Sequence, residues 1–438
     1  MRHDVDAESL GPPGEAMAQA VTACVHCGFC LAACPTYRIT GAEAHSPRGR
    51  IVLMKEVLEG SLAAEEARPF VDACLGCQAC EPACPSGVGY GALLHPYRDL
   101  TRAAGRGPFE RLVRFLVHHT VPHPGRFRLA LRLQRLIAPV AGWLPRRLRP
   151  LAELAPRASK APATRPGTFP ASGPRRGRVA LLRGCAQQVL APEIEHATLG
   201  LLNHQGVEVV VPAEQGCCGA LALHDGEWPL ARRLARRNLG VLAPEGLGGP
   251  IDAVVSNAAG CGSGLRELGD LFAGEPEEAM ARELARRVVD VATYLDDLGL
   301  VVPASTAKPR RLRLAYQDAC HLAQAQGVKG APRRLLSAIP GVELVAVGEE
   351  DLCCGSAGTY NLFQPEMARR LAERKVDQLV ATGADGVATG NVGCLVQLRA
   401  AIERRGLDLP IRHTVEWLRD GISSQSEVGV DLGRGRPS

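Results

Sequence analysis

CVHCGFCLAACP, residues 24–35, and CLGCQACEPACP, residues 74–85, decide the fold of the first hundred residues. Each reads Cys-x2-Cys-x2-Cys-x3-Cys-Pro. Three thiols so close in sequence wrap three corners of a cubane on one tight turn, and the displaced fourth reaches elsewhere. Pro35 and Pro85 fix φ and lack an N–H, so each turns the chain away after the fourth thiol. Zinc is the rival metal, but structural zinc favours two well-separated ligand pairs.

This spacing is the run found in bacterial two-cluster ferredoxins, in which the fourth Cys of each run ligates the other cluster. It therefore predicts one [4Fe–4S] cluster on Cys24, Cys27, Cys30 and Cys84, and a second on Cys74, Cys77, Cys80 and Cys34. Between the runs, Ser46-Pro47 reads as a helix N-cap followed by its first residue. Ile51, Met54, Val57 and Leu58 form one apolar stripe, and Gly60 stops the helix. Arg48 and Arg50 on that helix are expected to make ion pairs, with contact to a cluster edge as the alternative. Such a region moves single electrons and holds no substrate, so the chemistry must happen elsewhere.

Sixteen Cys occur in 438 residues, and all fall into patterned groups. The N-terminus has no apolar stretch behind its first Arg, so it does not read as an export signal. The expectation is a cytoplasmic chain whose thiols serve metal or redox work and are not paired in disulfides. There is no run of about 18 apolar residues, the length a membrane span needs. Hydrophobic residues make up 46% and aromatics 4%, so aliphatic side chains and Ala must fill the cores.

The charge is uneven. Residues 101–178 hold 17 Lys and Arg against Glu110 and Glu153, in a chain whose net charge is only +5. FERLVRFLVHH and GRFRLALRLQRLIAPVAGWLPRRLRPL read as basic amphipathic helices broken by Pro, and 155–174 reads as an extended linker. These helices would either pack on the body with a solvated basic face or dock to an acidic partner or an anionic membrane surface. No base-reading motif accompanies the charge, so nucleic acid is not an expected partner.

Residues 179–420 are a duplication. The first half runs RVALLRGC to Cys185, VEVVVPAEQGCCG through Cys217 and Cys218, and IDAVVSNAAGC to Cys261. The second runs RLRLAYQDAC to Cys320, VELVAVGEEDLCCG through Cys353 and Cys354, and ADGVATGNVGC to Cys394. Each Cys-Cys-Gly is followed by a matching helical segment, ARRLARRN from Ala231 and ARRLAERK from Ala368. β-branched runs alternate with helix-length segments, which predicts α/β units on mostly parallel sheets. The Cys fall just past the predicted strand ends, where open α/β sheets hold their ligands. These eight Cys are candidates for a further Fe–S or metal centre, one between the halves or one in each; a redox thiol site and inert buried thiols are the alternatives. His321, beside Cys320, reads as a hydrogen-bonded core residue, with ligand or proton donor as the alternative.

The predicted organisation is therefore a helical, bacterial-ferredoxin-like domain over 15–100, a basic helical segment and linker over 101–178, α/β domains over 179–305 and 306–420, and a disordered tail over 421–438.

The duplicated region resembles the cysteine-rich domain of heterodisulfide reductases and of flavoprotein-linked oxidase subunits. In that pattern the last element is Cys-x-x-Cys. Here Cys261-Gly262-Ser263-Gly264 and Cys394-Leu395-Val396-Gln397 lack the final Cys, leaving at most four per half and arguing against disulfide reduction. The stretch from Cys24 to Gly60 together with LCCGSAGTY resembles the iron–sulfur subunits of bacterial glycolate oxidases, over about residues 20–420. The resemblance implies an oxidoreductase complex in which FAD-bearing partner subunits oxidise glycolate to glyoxylate. This chain would carry the electrons towards a quinone-type membrane acceptor. Iron–sulfur subunits for lactate or glycerol-3-phosphate oxidation share parts of the pattern. The sequence agrees by omission, since no G-x-G-x-x-G opens a βαβ unit and no Ser/His/Asp constellation is evident.

Overall fold

The computed structural model describes residues 4–137, 158–303 and 311–423. The C-terminal tail beyond 423, and the part of the basic segment from 138 to 157, lie outside the described residues.

The N-terminal region is all helix and loop. Each Cys run lies in a loop that ends in a short turn of helix or coil, and longer helices frame it. Helix Pro47–Leu58 starts as its sequence predicts: the Ser46 hydroxyl accepts the Gly49 N–H at 3.0 Å, and Pro47 takes the first position, where an N–H has no partner. Its Ile51 and Met54 are buried with Met17, Val21, Val71, Leu93 and Leu94, the apolar core behind the cysteine loops. Gly60 at φ 77° ends it.

Helices Pro108–Thr120 and Pro124–Ile137 carry the basic segment. The expected linker is only partly one: Gly167–Phe169 forms strand β1, antiparallel to strand β3 at Val207–Val211, with Thr168 opposite Val210. Its Gly-Thr-Phe has too little β-branched character to announce a strand, and pairing with an exposed sheet edge supplies what propensity lacks.

Two sheets follow, the first parallel except for its edge strand β1 and the second parallel throughout. The first has the order β1-β3-β2-β4-β5, with β2 at Gly177–Leu182, β3 at Val207–Val211, β4 at Ala253–Ser256 and β5 at Val288–Asp290. The second has the order β7-β6-β8-β9, with β6 at Leu312–Gln317, β7 at Val342–Val345, β8 at Gly386–Thr389 and β9 at Ile411–His413. The registers correspond: Val179 pairs with Val209 and Ala253, as Leu314 pairs with Leu344 and Gly386. In each half the first strand is central and the next two flank it on opposite sides. The chain therefore reverses its winding direction there, and a crevice opens beyond the strand ends.

The halves are not separate globules. Leu181, Val209, Leu199 and Leu202 of the first share one core with Leu314, Val387, Leu398 and Leu418 of the second. Helix Pro192–His204 packs on helix Thr414–Ser423. No described helix is long and apolar enough to cross a membrane.

Candidate iron–sulfur and thiol centres

Gly28 and Gly76 adopt φ of 87° and 61° inside the two Cys runs, and His26 and Gln78 are also left-handed at 55° and 56°. These bends aim successive thiols inward. One cavity is lined by Cys24, Cys27, Cys30, Cys80 and Cys84, another by Cys34, Cys74, Cys77 and Cys80. Cys84 thus faces the first run, and Cys34 the second. No disulfide joins any of the sixteen. Converging free thiols around a cavity are a donor set that fits a thiolate-bound cluster.

The two cavities differ in setting. Cys27 is exposed, and its neighbours Val25 and Phe29 are 67% and 68% exposed. Cys74, Cys77 and Cys80 are buried. Burial pushes the Cys30 thiol up to about 11, and pushes Cys77 and Cys80 well above the usual range. Cys74 is the exception. Burial opposes its ionisation too, but Arg50, Arg98 and the Gly76 N–H together hold it below the usual range.

Arg50 makes the expected helix but not the expected ion pair. It is 1% exposed, and its Nε donates to the Phe70 carbonyl at 2.7 Å. Its Nη2 donates to Thr36 Oγ1 at 3.0 Å, and Nη1 lies 3.8 Å from Cys34 Sγ. Arg48 does pair with Glu43, at 2.8 Å, and also donates to the His26 carbonyl of the first loop.

The duplicated halves present two matching thiol sets beyond their strand ends. Cys185 Sγ lies 3.4 Å from Cys217 Sγ, and Cys217, Cys218 and Cys261 continue the chain of thiol contacts. Contacts with Cys217 and Cys261 hold Cys218 well below the usual thiol range. In the second half the same chain runs Cys320, Cys353, Cys354, Cys394. The glycine of each Cys-Cys-Gly has a definite task. Gly219 and Gly355 adopt φ of 87° and 82°, and their N–H groups point at Cys217 Sγ and Cys353 Sγ, both at 3.5 Å. A Cβ there would lie 2.9 Å from the Ala231 carbonyl oxygen and 2.5 Å from that of Ala368. This close approach is why the helices from Ala231 and Ala368 repeat in step with the Cys.

The position of the family's absent last Cys is occupied by packing. A Cβ at Gly264 would sit 2.3 Å from Ala220 Cβ. Gln397 accepts from Asn361 Nδ2 at 3.3 Å and donates to the Ala368 carbonyl at 3.4 Å.

The second N-terminal loop and the second half meet directly. Leu75, Cys77 and Ala79 share one apolar cluster with Leu352, Cys353, Tyr360 and Leu371, and Cys320 packs against it. Tyr360 Oη donates to the Ala73 carbonyl at 3.1 Å. Arg38 adds ion pairs to Glu349 at 2.7 Å and Asp351 at 3.1 Å. His321 Nε2 donates to the Gly76 carbonyl at 3.1 Å, and burial pushes the ring down to about 4, so it is a neutral, hydrogen-bonded residue. Beside this junction lies a cavity of about 400 Å³, lined among others by Cys74, Leu75, Arg98, Arg114, His224 and His321. Sequence reasoning had no signal for it, because its walls come from five separate segments.

Comparison with known proteins agrees with this geometry. Residues 20–88 match the 4Fe-4S dicluster domain, and residues 179–266 and 314–399 each match the cysteine-rich domain. The chain is 37% identical over 407 residues to the probable glycolate oxidase iron-sulfur subunit of Bacillus subtilis, covering 89% of this chain and 90% of that protein. It is 34% identical over 406 residues to the glycolate oxidase iron-sulfur subunit of Escherichia coli, covering 92% and 94%. Lactate utilization protein A of Oceanobacillus iheyensis is 29% identical over 55% of this chain and 96% of its own length. Matches at this identity, running through both Cys runs and both Cys-Cys-Gly halves, place the chain in the family of glycolate oxidase iron–sulfur subunits.

Proposed function

We propose that this chain is the electron-transfer subunit of a glycolate-oxidising complex, in which FAD-bearing partners convert glycolate to glyoxylate and a quinone-type acceptor takes the electrons. On this reading Cys24, Cys27, Cys30 and Cys84 hold one [4Fe–4S] cluster, and Cys34, Cys74, Cys77 and Cys80 hold the other. The thiol sets Cys185, Cys217, Cys218, Cys261 and Cys320, Cys353, Cys354, Cys394 hold a further centre in each half. When bound, such clusters act as one-electron carriers whose potentials follow local charge, hydrogen bonds and exposure.

The observation that carries the reading is the shared apolar cluster joining the Cys77 loop to Cys320 and Cys353. It makes the N-terminal region and the duplicated region one continuous, water-excluding path. The chain's own residues insulate that path, fix its charge through Arg50 and Arg98, and leave one edge open at Val25, Cys27 and Phe29. We place electron entry from the flavin partner at this exposed edge. The 400 Å³ cavity beside the second loop is the candidate acceptor site. Its neighbour, helix Pro108–Thr120, turns Leu112, Phe115 and Leu116 outward at 53%, 57% and 52% exposure, which supports peripheral attachment to an anionic membrane.

The test is glycolate-driven dye reduction by the complex purified from native membranes, compared with L-lactate. Glycolate should be the faster donor. Cys80→Ser should abolish flow to the dye while glycolate still reduces the partner's flavin. Undiminished flow in Cys80→Ser would remove the relay reading, and a preference for lactate would remove the substrate.

A further inference from the structure

Where the N-terminal region meets the first half, three side chains converge that no motif announces. His95 comes from helix Tyr90–Leu100, His224 from the short helix after Cys-Cys-Gly, and Glu267 from the turn after helix Ala259–Arg266. His95 Nδ1 and His224 Nε2 each lie 3.2 Å from the same Glu267 oxygen, Oε2. One donor atom from each of the three falls within 4.8 Å of the others.

We propose that His95, His224 and Glu267 bind one divalent transition-metal ion, zinc by the character of the ligands, that staples the N-terminal region to the first Cys-Cys-Gly half. Two imidazoles with one carboxylate form a recurrent zinc donor set, with bonds of about 2.0–2.2 Å. The edge of a tetrahedron built on such bonds is about 3.3 Å, close to the two 3.2 Å separations here.

Surrounding residues support the set as they do at metal sites. Ser263 Oγ donates to the other carboxylate oxygen, Glu267 Oε1, at 3.0 Å and so fixes which oxygen faces the imidazoles. Arg98, three residues after His95, donates to the His224 carbonyl at 2.8 Å, holding the two segments in register. The ring of His321 packs edge-on against His224, with centroids 4.9 Å apart. His95 is only 5% exposed, and the nitrogen it turns toward the shared carboxylate oxygen is Nδ1, at 3.2 Å. His224 borders the 400 Å³ cavity, which gives an ion a way in and water for an open coordination position.

The site is independent of the thiol sets and of the glycolate reading. The experiment is metal analysis of the full chain, purified anaerobically with its clusters intact. Elemental analysis should find about one zinc per chain beyond the cluster iron. X-ray absorption at the zinc edge should show nitrogen and oxygen neighbours at about 2.0–2.1 Å, not sulfur at about 2.3 Å. Glu267→Gln, and separately His95→Asn, should lose the zinc while iron and sulfide per chain stay unchanged. Absence of zinc from the unaltered chain overturns the proposal, as does a sulfur shell or zinc retained in both variants. Because the spectrum of the unaltered chain decides alone, a variant that fails to fold does not shield the proposal.

Discussion

A guanidinium with 1% exposure, 3.8 Å from a thiol sulfur, sets the charge that the second cavity sees. Arg50 is kept ionised despite burial, because Cys74, Tyr90 and Cys34 all favour its charge. A unit charge a few ångströms away at an effective dielectric near 20 is worth roughly 3 kcal/mol, or on the order of 100 mV per electron. Arg50→Met should therefore lower the reduction potential of the centre at Cys34, Cys74, Cys77 and Cys80 by on the order of 100 mV, and Arg50→Lys should restore part of it. Potentiometric titration followed by electron paramagnetic resonance measures this, with iron and sulfide content as the check on assembly. An unchanged potential would show that Arg50 is only a packing residue. The sequence could not announce this role. Its ion-pair reading holds for Arg48, whose partner Glu43 is five residues away. For Arg50 the partners Thr36, Cys34 and Phe70 meet only after the loops fold. Cys spacing is legible because thiols on one turn share a site by local geometry; a buried cation's partner is decided by tertiary approach.

At the scale of elements, helix Pro108–Thr120 is turned inside out. It buries Arg114 and His118 beside Val113 and exposes Phe109, Leu112, Phe115 and Leu116. The next helix, Pro124–Ile137, exposes Leu129, Leu133 and Leu136 among Arg126, Arg132 and Arg135. Burying a Leu or Phe side chain is worth about 1.5–3 kcal/mol, and basic residues add attraction to anionic lipid. Leu112→Glu with Phe115→Glu should weaken binding to vesicles of one-third phosphatidylglycerol by at least about tenfold, measured by co-sedimentation at low salt. Binding by neither protein would discard membrane attachment; equal binding by both would move the surface elsewhere. The amphipathic pattern was readable from sequence. Which face looks outward was not, because inward Arg114 is justified by Glu110 at 3.1 Å, by Asp225 of the first half at 4.0 Å and by Phe363, whose ring centroid it overlies at 4.3 Å. Strands β2 to β4 and β6 to β8 were readable as β-branched runs alternating with helix-length segments, whereas β5 and β9, three residues each, carried too short a signal. Strand β1 was not, because its pairing with β3 is what makes it one.

At the scale of the whole molecule, the order of the thiol sets along the path is an arrangement no single motif could express. The duplication announces two equivalent halves, yet the folded chain makes them inequivalent. The Cys77 loop packs on the second half, where Cys320 and Cys353 fall within its electrostatic reach. The first half also touches the N-terminal region, at His95 and Arg98, but none of its thiols joins the Cys77 cluster; Gln326 of the second half donates to the Ala259 carbonyl, just before Cys261. A centre lost from the second half should therefore be felt in the second N-terminal cavity, and one lost from the first half should not. Cys353→Ser should shift the potential of the centre at Cys34, Cys74, Cys77 and Cys80 by on the order of tens of millivolts, whereas Cys218→Ser should leave it within error. The same pair should differ in function. With the path cut at its nearer half, glycolate-driven reduction of a quinone analogue should fall at least as far in Cys353→Ser as in Cys218→Ser. Equal shifts in both variants would mean that the halves are reached by separate routes, and the serial order read from the packing would have to be abandoned.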